Sequence, residues 1–474
     1  MKNCFAGMKW YQAVLWIALA CFLGVCAFFQ IHNAHWLIGD EAIVISHTGI
    51  GKAFSPLGLD GMATAYGRLF PFAYNLYNVL LPFFDGYVPP TAVYVLQALA
   101  LAIFAVTFAF LGLRLLRDVT GPLKYATVFF FVVICVFRVY PEFITCYTGV
   151  WIVYLFLPVF LLFACRFMDT GHWGDGIVAL LAVNYIIYCY ETVFTIPMAA
   201  GICGLLFQFR KLNGRQRLFH ALLVASGLLF LLIYVVFVLP KATGFYHHYG
   251  ETSLLRNTVK MFIANKLYWL SAVVLVIRAV QVLFKKAAYT FQDSLLLAAF
   301  GYFVGAVALK LNFTYYYNIG ALVGLTASLY FLRDWLKPIW LCLLMLAFAL
   351  FYGRKTPALV KKNQTARTYV SRAMETLSKE MEEGNTLYWY EPDYDGPSES
   401  YLDMRETSKI RVEVYLGWLL QRDVKINGRK EFNGEKGVWM VYPGNEAGLP
   451  ETPADLAACE RLFSTSGIKG YLCP

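Results

Sequence analysis

Charge is what this chain has least of. Only 15% of its 474 residues are Asp, Glu, Lys or Arg, against about 25% in an ordinary soluble domain. So few charges cannot cover a globule with polar surface, which excludes a water-soluble protein and leaves lipid as the solvent. Nucleotide-cradling loops are also missing: there is no Walker loop and no Gly-rich dinucleotide fingerprint. The 11 cysteines are scattered singly, mostly in apolar runs where Cys behaves as a small hydrophobe. No Cys-x-x-Cys spacing occurs, so no dedicated zinc site is expected. Internal repeats are not evident.

What is present is apolar length. Hydrophobic residues make up 59% and aromatics 17% of the chain, and the mean hydropathy is +0.56. A spanning helix needs roughly 20 apolar residues. Runs of that kind fall at about 11–30, 91–116, 125–140, 147–168, 175–191, 192–209, 218–240, 262–284, 295–311, 317–332 and 338–353. The expected class is an all-α polytopic membrane bundle of about eleven helices. The first run, Trp10 to Phe29 after Lys2 and Lys9, is similar to a signal peptide. It has no small-x-small cleavage site and is read as an uncleaved first helix. The segment 71–85 is short, bracketed by Pro71 and Pro82, and is expected to lie in the interface or re-enter.

The net charge of +10 would suit nucleic acid, but the basic residues punctuate apolar runs instead of forming a patch with stacking aromatics. With the N-terminus inside, the very short inside loops hold Lys2, Lys9, Arg114, Arg117, Lys124, Arg166, Arg210, Lys211, Arg215, Arg217, Arg278, Lys285, Lys286, Arg333 and Lys337. The longer outside segments before the tail hold fewer: Lys52, Arg68, Arg138, Lys241, Arg256, Lys260, Lys266 and Lys310. That bias agrees with eleven spans, an inside N-terminus and an outside C-terminus. Short inside loops and the absence of a transit peptide point to a bacterial inner membrane.

Two outside stretches are long enough to do something. One is the first loop, about 31–90, within a membrane domain of residues 1–353. The other is the tail, 354–474, where composition changes abruptly at Arg354. Thr365 to Glu383 places Val370, Leu377 and Met381 at helical spacing. Thr386 to Tyr390 and Gly437 to Tyr442 read as strands, with helices expected at about 405–420 and 453–464. This is a small extracytoplasmic α/β domain, large enough for a core of its own. Cys459 and Cys473 share it, and an oxidising compartment would allow them to pair.

The inside loops are too short for a nucleotide-binding domain, so any chemistry uses the outside face or the membrane. That face has no supply of nucleotide sugars, and group transfer there needs a donor carried across on lipid. The strongest constellation is Gly39-Asp40-Glu41, two adjacent carboxylates beside Trp36 and Leu37 at the membrane surface, where desolvation is costly. The plain alternative is a hydrated loop pair, or a helix cap supplied by Asp40. Tyr66-Gly67-Arg68 follows, a lone Arg before an apolar segment and a natural partner for a phosphate or carboxylate.

A first outside loop opening on an acidic pair, then amphipathic segments and a Gly-Arg, resembles the GT-C superfamily of membrane glycosyltransferases, which includes the protein O-mannosyltransferases and the lipid A aminoarabinose transferases. The likeness covers the plan of roughly residues 1–350, and its sharp motif is Asp40-Glu41. It implies an inverting enzyme that moves a sugar from a polyprenyl-phosphate donor to an extracytoplasmic acceptor: a surface glycan, a lipid or a protein. Asp40 would be the general base, and Glu41 would position the acceptor or, in metal-dependent relatives, contribute a metal ligand. No other subfamily motif is found, which leaves sugar and acceptor open.

A phosphate leaving group needs little acid help, so such a site needs one base and cations for the departing phosphate. Arg68, Lys310 and Arg256 are the candidate cations. Tyr66, Glu142, Glu191, His247 and His248 are candidates for positioning substrate. Lys310 beside Tyr315-Tyr316-Tyr317 also fits a snorkelling residue in an aromatic belt. His247-His248 also fits a polar loop, Glu142 a simple pair with Arg138, and Glu191 a hairpin turn. Nor is a metal site assigned, though a divalent ion would be compatible.

The alternative function is a transporter or flippase for a lipid-linked glycan. That would call for paired repeats, interrupted helices and midplane charges, whereas the polar residues here gather at one outside face. A scaffold would tolerate neutral first-loop carboxylates, and a glycan polymerase would carry a large central outside loop that is not evident.

Overall fold

The structure, a computed structural model, describes residues 9–39, 41–54, 69, 71–144, 150–241, 254–308, 314–391, 399–442, 454–465 and 468–474. The apolar runs form helices: α1 (Trp10–Ile31), α3 (Pro90–Leu115), α4 (Pro122–Ile144), α5 (Val150–Thr170), α6 (Trp173–Ile187), α7 (Thr195–Gln208), α8 (Gly214–Ile233), α10 (Lys266–Leu283), α11 (Phe291–Ala308), α12 (Asn318–Trp335) and α13 (Pro338–Gly353). Between them lie the short α2 (Glu41–Ile45) and α9 (Leu254–Ala264). Proline opens α3 and α13 at the first helical positions, where its missing N–H is no loss.

Among the described residues nine helical stretches are long and apolar enough to cross a membrane. Two of the eleven expected spans fall outside that number although a helix stands at each. Helix α6 has only 15 residues. Helix α12 ends in Arg333-Asp334 and is buried along most of its length, so its neighbours cover it. By contrast α1 and α8 turn Val14, Ile17 and Val25, and Leu228, Leu229 and Leu232, outward. In water such faces would be a liability; against acyl chains they are the solvent-matched side.

Segment 71–85 is not a span. It makes a turn and then a 3₁₀ helix, Asn75–Phe83, which the first loop holds in place. Asn78 accepts from the Phe54 N–H at 2.8 Å and donates to its carbonyl at 2.8 Å. The Tyr77 hydroxyl, fully buried, receives Trp151 Nε1 at 2.8 Å and Gln97 Nε2 at 3.1 Å. The first loop is thereby fastened to α3 and α5.

Helix α14 (Thr356–Glu382) follows α13 so directly that Pro338–Glu382 counts as one 45-residue helical stretch. Its end leads into a five-stranded sheet in the order β2-β1-β3-β5-β4, formed by β1 (Leu387–Tyr390), β2 (Asn427–Arg429), β3 (Gly437–Val441), β4 (Glu460–Ser464) and β5 (Lys469–Cys473). Strand β1 runs parallel to β2 and β3, while β5 is antiparallel to β3 and β4. Helix α15 (Glu399–Leu420) makes the crossover after β1. Alternation sorts the two faces. Leu387, Trp389, Val438 and Met440 join the core shared with α14, α15 and the bundle, and Tyr388, Trp439, Val441 and Tyr471 form a second cluster behind them.

One expected element is corrected. The helix expected at 453–464 is helical only over α16 (Ala454–Ala457), and 460–464 is strand β4. Pairing with β5 and the Cys459–Cys473 disulfide, its Cα atoms 5.0 Å apart, override the local helical spacing, as tertiary context commonly does.

Candidate active site

Several features converge on one end of the bundle. Arg367, in the middle of α14 and wholly buried, donates to the Gln30 carbonyl at 2.8 Å and the Ile144 carbonyl at 2.7 Å. These carbonyls belong to the last turns of α1 and α4, which have no intrahelical partners of their own. The C-termini of α1 and α4 are therefore neighbours, and the start of the first loop and the end of α4 share one site. Tyr140 Oη to the Cys26 carbonyl at 2.7 Å and Gln30 Nε2 to the Phe143 carbonyl at 3.1 Å complete the join.

Of the acidic pair, Asp40 lies outside the described residues and Glu41 is buried, opening α2. The Glu41 carboxylate folds back over Gly39: a Cβ there would stand 2.6 Å from Glu41 Oε2. A side chain at position 39 would therefore shift that carboxylate. Helix α2 in turn packs against α15, and the buried Trp36 meets Trp418 edge-on at 6.1 Å.

Glu142 stands in the last turn of α4, buried, with Asn318 Nδ2 donating to its Oε1 at 3.2 Å and to the Arg138 carbonyl at 2.9 Å. The Arg138 guanidinium donates to Asn318 Oδ1 and lies 4.9 Å from the Tyr352 ring. The simple Arg138–Glu142 pair is thus not what forms: Asn318, at the first position of α12, stands between them. Glu142 Oε2 has no hydrogen-bond partner among the described residues. A buried carboxyl oxygen in that state costs free energy unless something else meets it.

Glu191 is buried in a 3₁₀ turn, Glu191–Phe194, between α6 and α7. Its neighbour Thr192 donates to the Tyr302 hydroxyl at 3.1 Å, and Tyr302 donates to the Tyr316 carbonyl at 2.7 Å. Phe72 links the first loop to this turn, its N–H reaching the Tyr188 carbonyl at 3.1 Å and its ring stacked on Tyr185.

The opposite end of the bundle is built differently. Arg278 and Asp293 form a two-pronged buried pair at 2.8 and 2.9 Å, with Thr290 also on Asp293. Arg114 pairs with Asp169 at 2.7 Å, Arg166 with Asp175 at 3.1 Å, and Arg333 with Asp118 at 3.2 Å. Among the described residues of that end the buried acids Asp175 and Asp293 each have their arginine, as expected of structural charges. At the first-loop end Glu142 is held instead by the amide of Asn318.

Tyr66, Arg68, His247, His248 and Lys310, like Asp40, lie outside the described residues. Arg256 is exposed on α9. Sequence reading missed Asn318 and Arg367. The signal for Arg367 was its position three residues before Val370 on the buried face of α14, where Asn363, Met374 and Leu377 also lie. Among the described residues no three His, Cys, Asp or Glu side chains gather as a metal site.

No protein-family model matches the sequence, and neither does any curated protein. Solved structures do. ArnT from Cupriavidus metallidurans in the apo state aligns with a TM-score of 0.52 at 11% identity, covering 98% of this chain and 98% of that one. The chain has the fold of ArnT. That is the GT-C fold, which the sequence resemblance leads one to expect. ArnT from the same organism bound to undecaprenyl phosphate gives 0.47 at 11% identity, over 97% of this chain and 98% of that one.

Proposed function

We propose that the chain is an inverting membrane glycosyltransferase that moves a sugar from a polyprenyl-phosphate donor to an acceptor at the first-loop face. The observation that carries the reading is Glu142: a buried carboxyl with one oxygen lacking a hydrogen-bond partner among the described residues, at the end of the bundle where the acidic pair begins, while the described buried acids at the other end are matched to arginines. The buried Asp175 and Asp293 at the far end are each paired with an arginine, whereas Glu142 has an amide on one oxygen only, which supports a role beyond stability. The shared GT-C fold supports the same reading.

In the proposed step the acceptor hydroxyl or amine loses its proton to the Asp40 carboxylate as its oxygen or nitrogen bonds the anomeric carbon. The bond from that carbon to the phosphate oxygen breaks, and polyprenyl phosphate departs against Arg68 and Lys310. Glu41 positions the acceptor. Glu142, held by Asn318, and Glu191 accept hydrogen bonds from sugar hydroxyls, with Tyr66, His247 and His248 completing the rim. In this reading the first-loop face is extracytoplasmic and the membrane a bacterial inner membrane.

The test uses purified protein in detergent with a short-chain polyprenyl-phosphate sugar. Acceptor-dependent release of polyprenyl phosphate, lost in Asp40→Asn, supports the proposal. Movement of the intact lipid-linked sugar across vesicles without bond cleavage would instead establish a transporter.

A further inference from the structure

Helix α9 has three faces where a simple surface helix has two. With 3.6 residues per turn, Leu255, Val259 and Ile263 make one stripe, and they are 75%, 48% and 49% exposed. Arg256 and Lys260 make the next stripe, both exposed. Met261 lies on the far side, buried at 2%, with Asn265 just beyond it, also 2% exposed. The helix therefore keeps one face on the protein, offers an apolar flank beside it, and carries two cations beyond that flank.

Its place in the chain says what lies around it. Only Asn265 separates α9 from the spanning helix α10, so α9 sits at the mouth of the bundle. Trp269, 47% exposed, donates from Nε1 to the Phe262 carbonyl at 3.0 Å, and Lys266 Nζ lies 5.7 Å from its ring. Tryptophan and lysine in that setting mark the headgroup level of a bilayer. Phe262 anchors the inner face, 5.9 Å from Phe303 of α11.

We infer that α9 is an interfacial helix that binds the phosphates of anionic phospholipids, with Leu255, Val259 and Ile263 in the acyl boundary and Arg256 and Lys260 on the headgroups. An apolar flank in the acyl region and a basic flank one step around the helix is the arrangement a lipid surface fits and water does not. This assigns Arg256 to the surrounding membrane and not to the donor phosphate, and it stands whether or not the chain is a transferase.

The full-length protein is placed in nanodiscs of equal phosphatidylglycerol and phosphatidylcholine, extracted gently, and its retained lipids counted by native mass spectrometry. Wild type should retain phosphatidylglycerol in preference. Each cation at an anionic surface is worth about fivefold in affinity, so Arg256→Gln with Lys260→Gln should lower that preference on the order of tenfold or more. Lys361→Gln with Lys362→Gln, on the exposed face of α14, should leave it unchanged. An unaltered preference in the α9 double variant would overturn the inference. So would loss of polyprenyl-phosphate binding with phosphatidylglycerol preference intact, because Arg256 would then belong to the donor.

Discussion

The guanidinium of Arg367 lies 4.0 Å from the centre of the Tyr94 ring, so one residue of the C-terminal helix is stacked on α3 while hydrogen-bonded to the ends of α1 and α4. Removing it would leave two helix-terminal carbonyls without a donor in a buried place. Arg367→Ala is expected to lose about 3–5 kcal/mol of docking free energy, and Arg367→Lys nearly as much because an ammonium cannot fork between two carbonyls. Limited proteolysis of the purified variants should cut near α14 far faster than in wild type, with the bundle still inserted. Equal cutting rates would mean that apolar packing alone holds the domain.

The same junction should respond to acid. Burial holds the His35 imidazole below its ordinary value of 6.5, with Glu375 pulling it up and Arg367 pushing it down. An undocked His35 takes its proton at that ordinary value and the docked one resists. Docking is therefore unaffected well above pH 6.5 and weakens as pH falls through it. Proteolysis followed against pH should show this sensitivity, and His35→Asn should flatten it.

Asn318 is expected to matter through Glu142. Asn318→Ala and Glu142→Gln should each lower transfer on the order of 10²-fold, the scale set by misplacing a positioning group, without lowering the melting temperature in proportion. Asp293→Asn should do the reverse, since it breaks a buried pair at the far end. If Glu142→Gln keeps wild-type turnover, the carboxyl is structural and the proposed site loses its firmest member.

Gly39→Ala probes the acidic pair without touching it. The added Cβ displaces the Glu41 carboxylate, so activity should fall while Asp40 remains. Asp40→Asn should cost about 10²–10⁴-fold, the usual contribution of a general base. Turnover within a few-fold of wild type in both would remove the pair from the chemistry.

How much of this was legible follows from what each feature depends on. The spans are written in uninterrupted apolar length, and β1 and β3 in four or five residues of strand-forming side chains. The strand at Glu460 was not, because its spacing suits a helix and the pairing with β5 and the tether to Cys473 decide otherwise. Asn318 was invisible for a related reason. It meets Arg138 and Glu142 across 180 and 176 residues of chain, and no local pattern records a meeting of that range. Arg367 was half-legible: the helical period put it on the buried face, but an arginine there reads as surface until two carbonyls are seen to need it.

Orientation rests on the positive-inside bias, and two described residues test it. Asn213 caps α8 at one end of the bundle, its Oδ1 accepting from the Gln216 N–H at 2.9 Å. Asn433 is exposed beside β3 in the C-terminal sheet. Cysteines at 213 and 433, in a background freed of accessible thiols, should label from opposite sides: 433 in intact cells, 213 only after permeabilisation. The disulfide gives an independent reading, since Cys459–Cys473 is expected to persist only where the compartment is oxidising. Closing a loop of 14 residues, it should add about 3 kcal/mol to the sheet, so Cys459→Ser with Cys473→Ser should loosen the C-terminal domain without disturbing insertion. Labelling of both sites from one side would mean that the spans do not sum to an odd number. The first-loop face would then need a different supply of donor, and the lipid-phosphate reading would lose its physical basis.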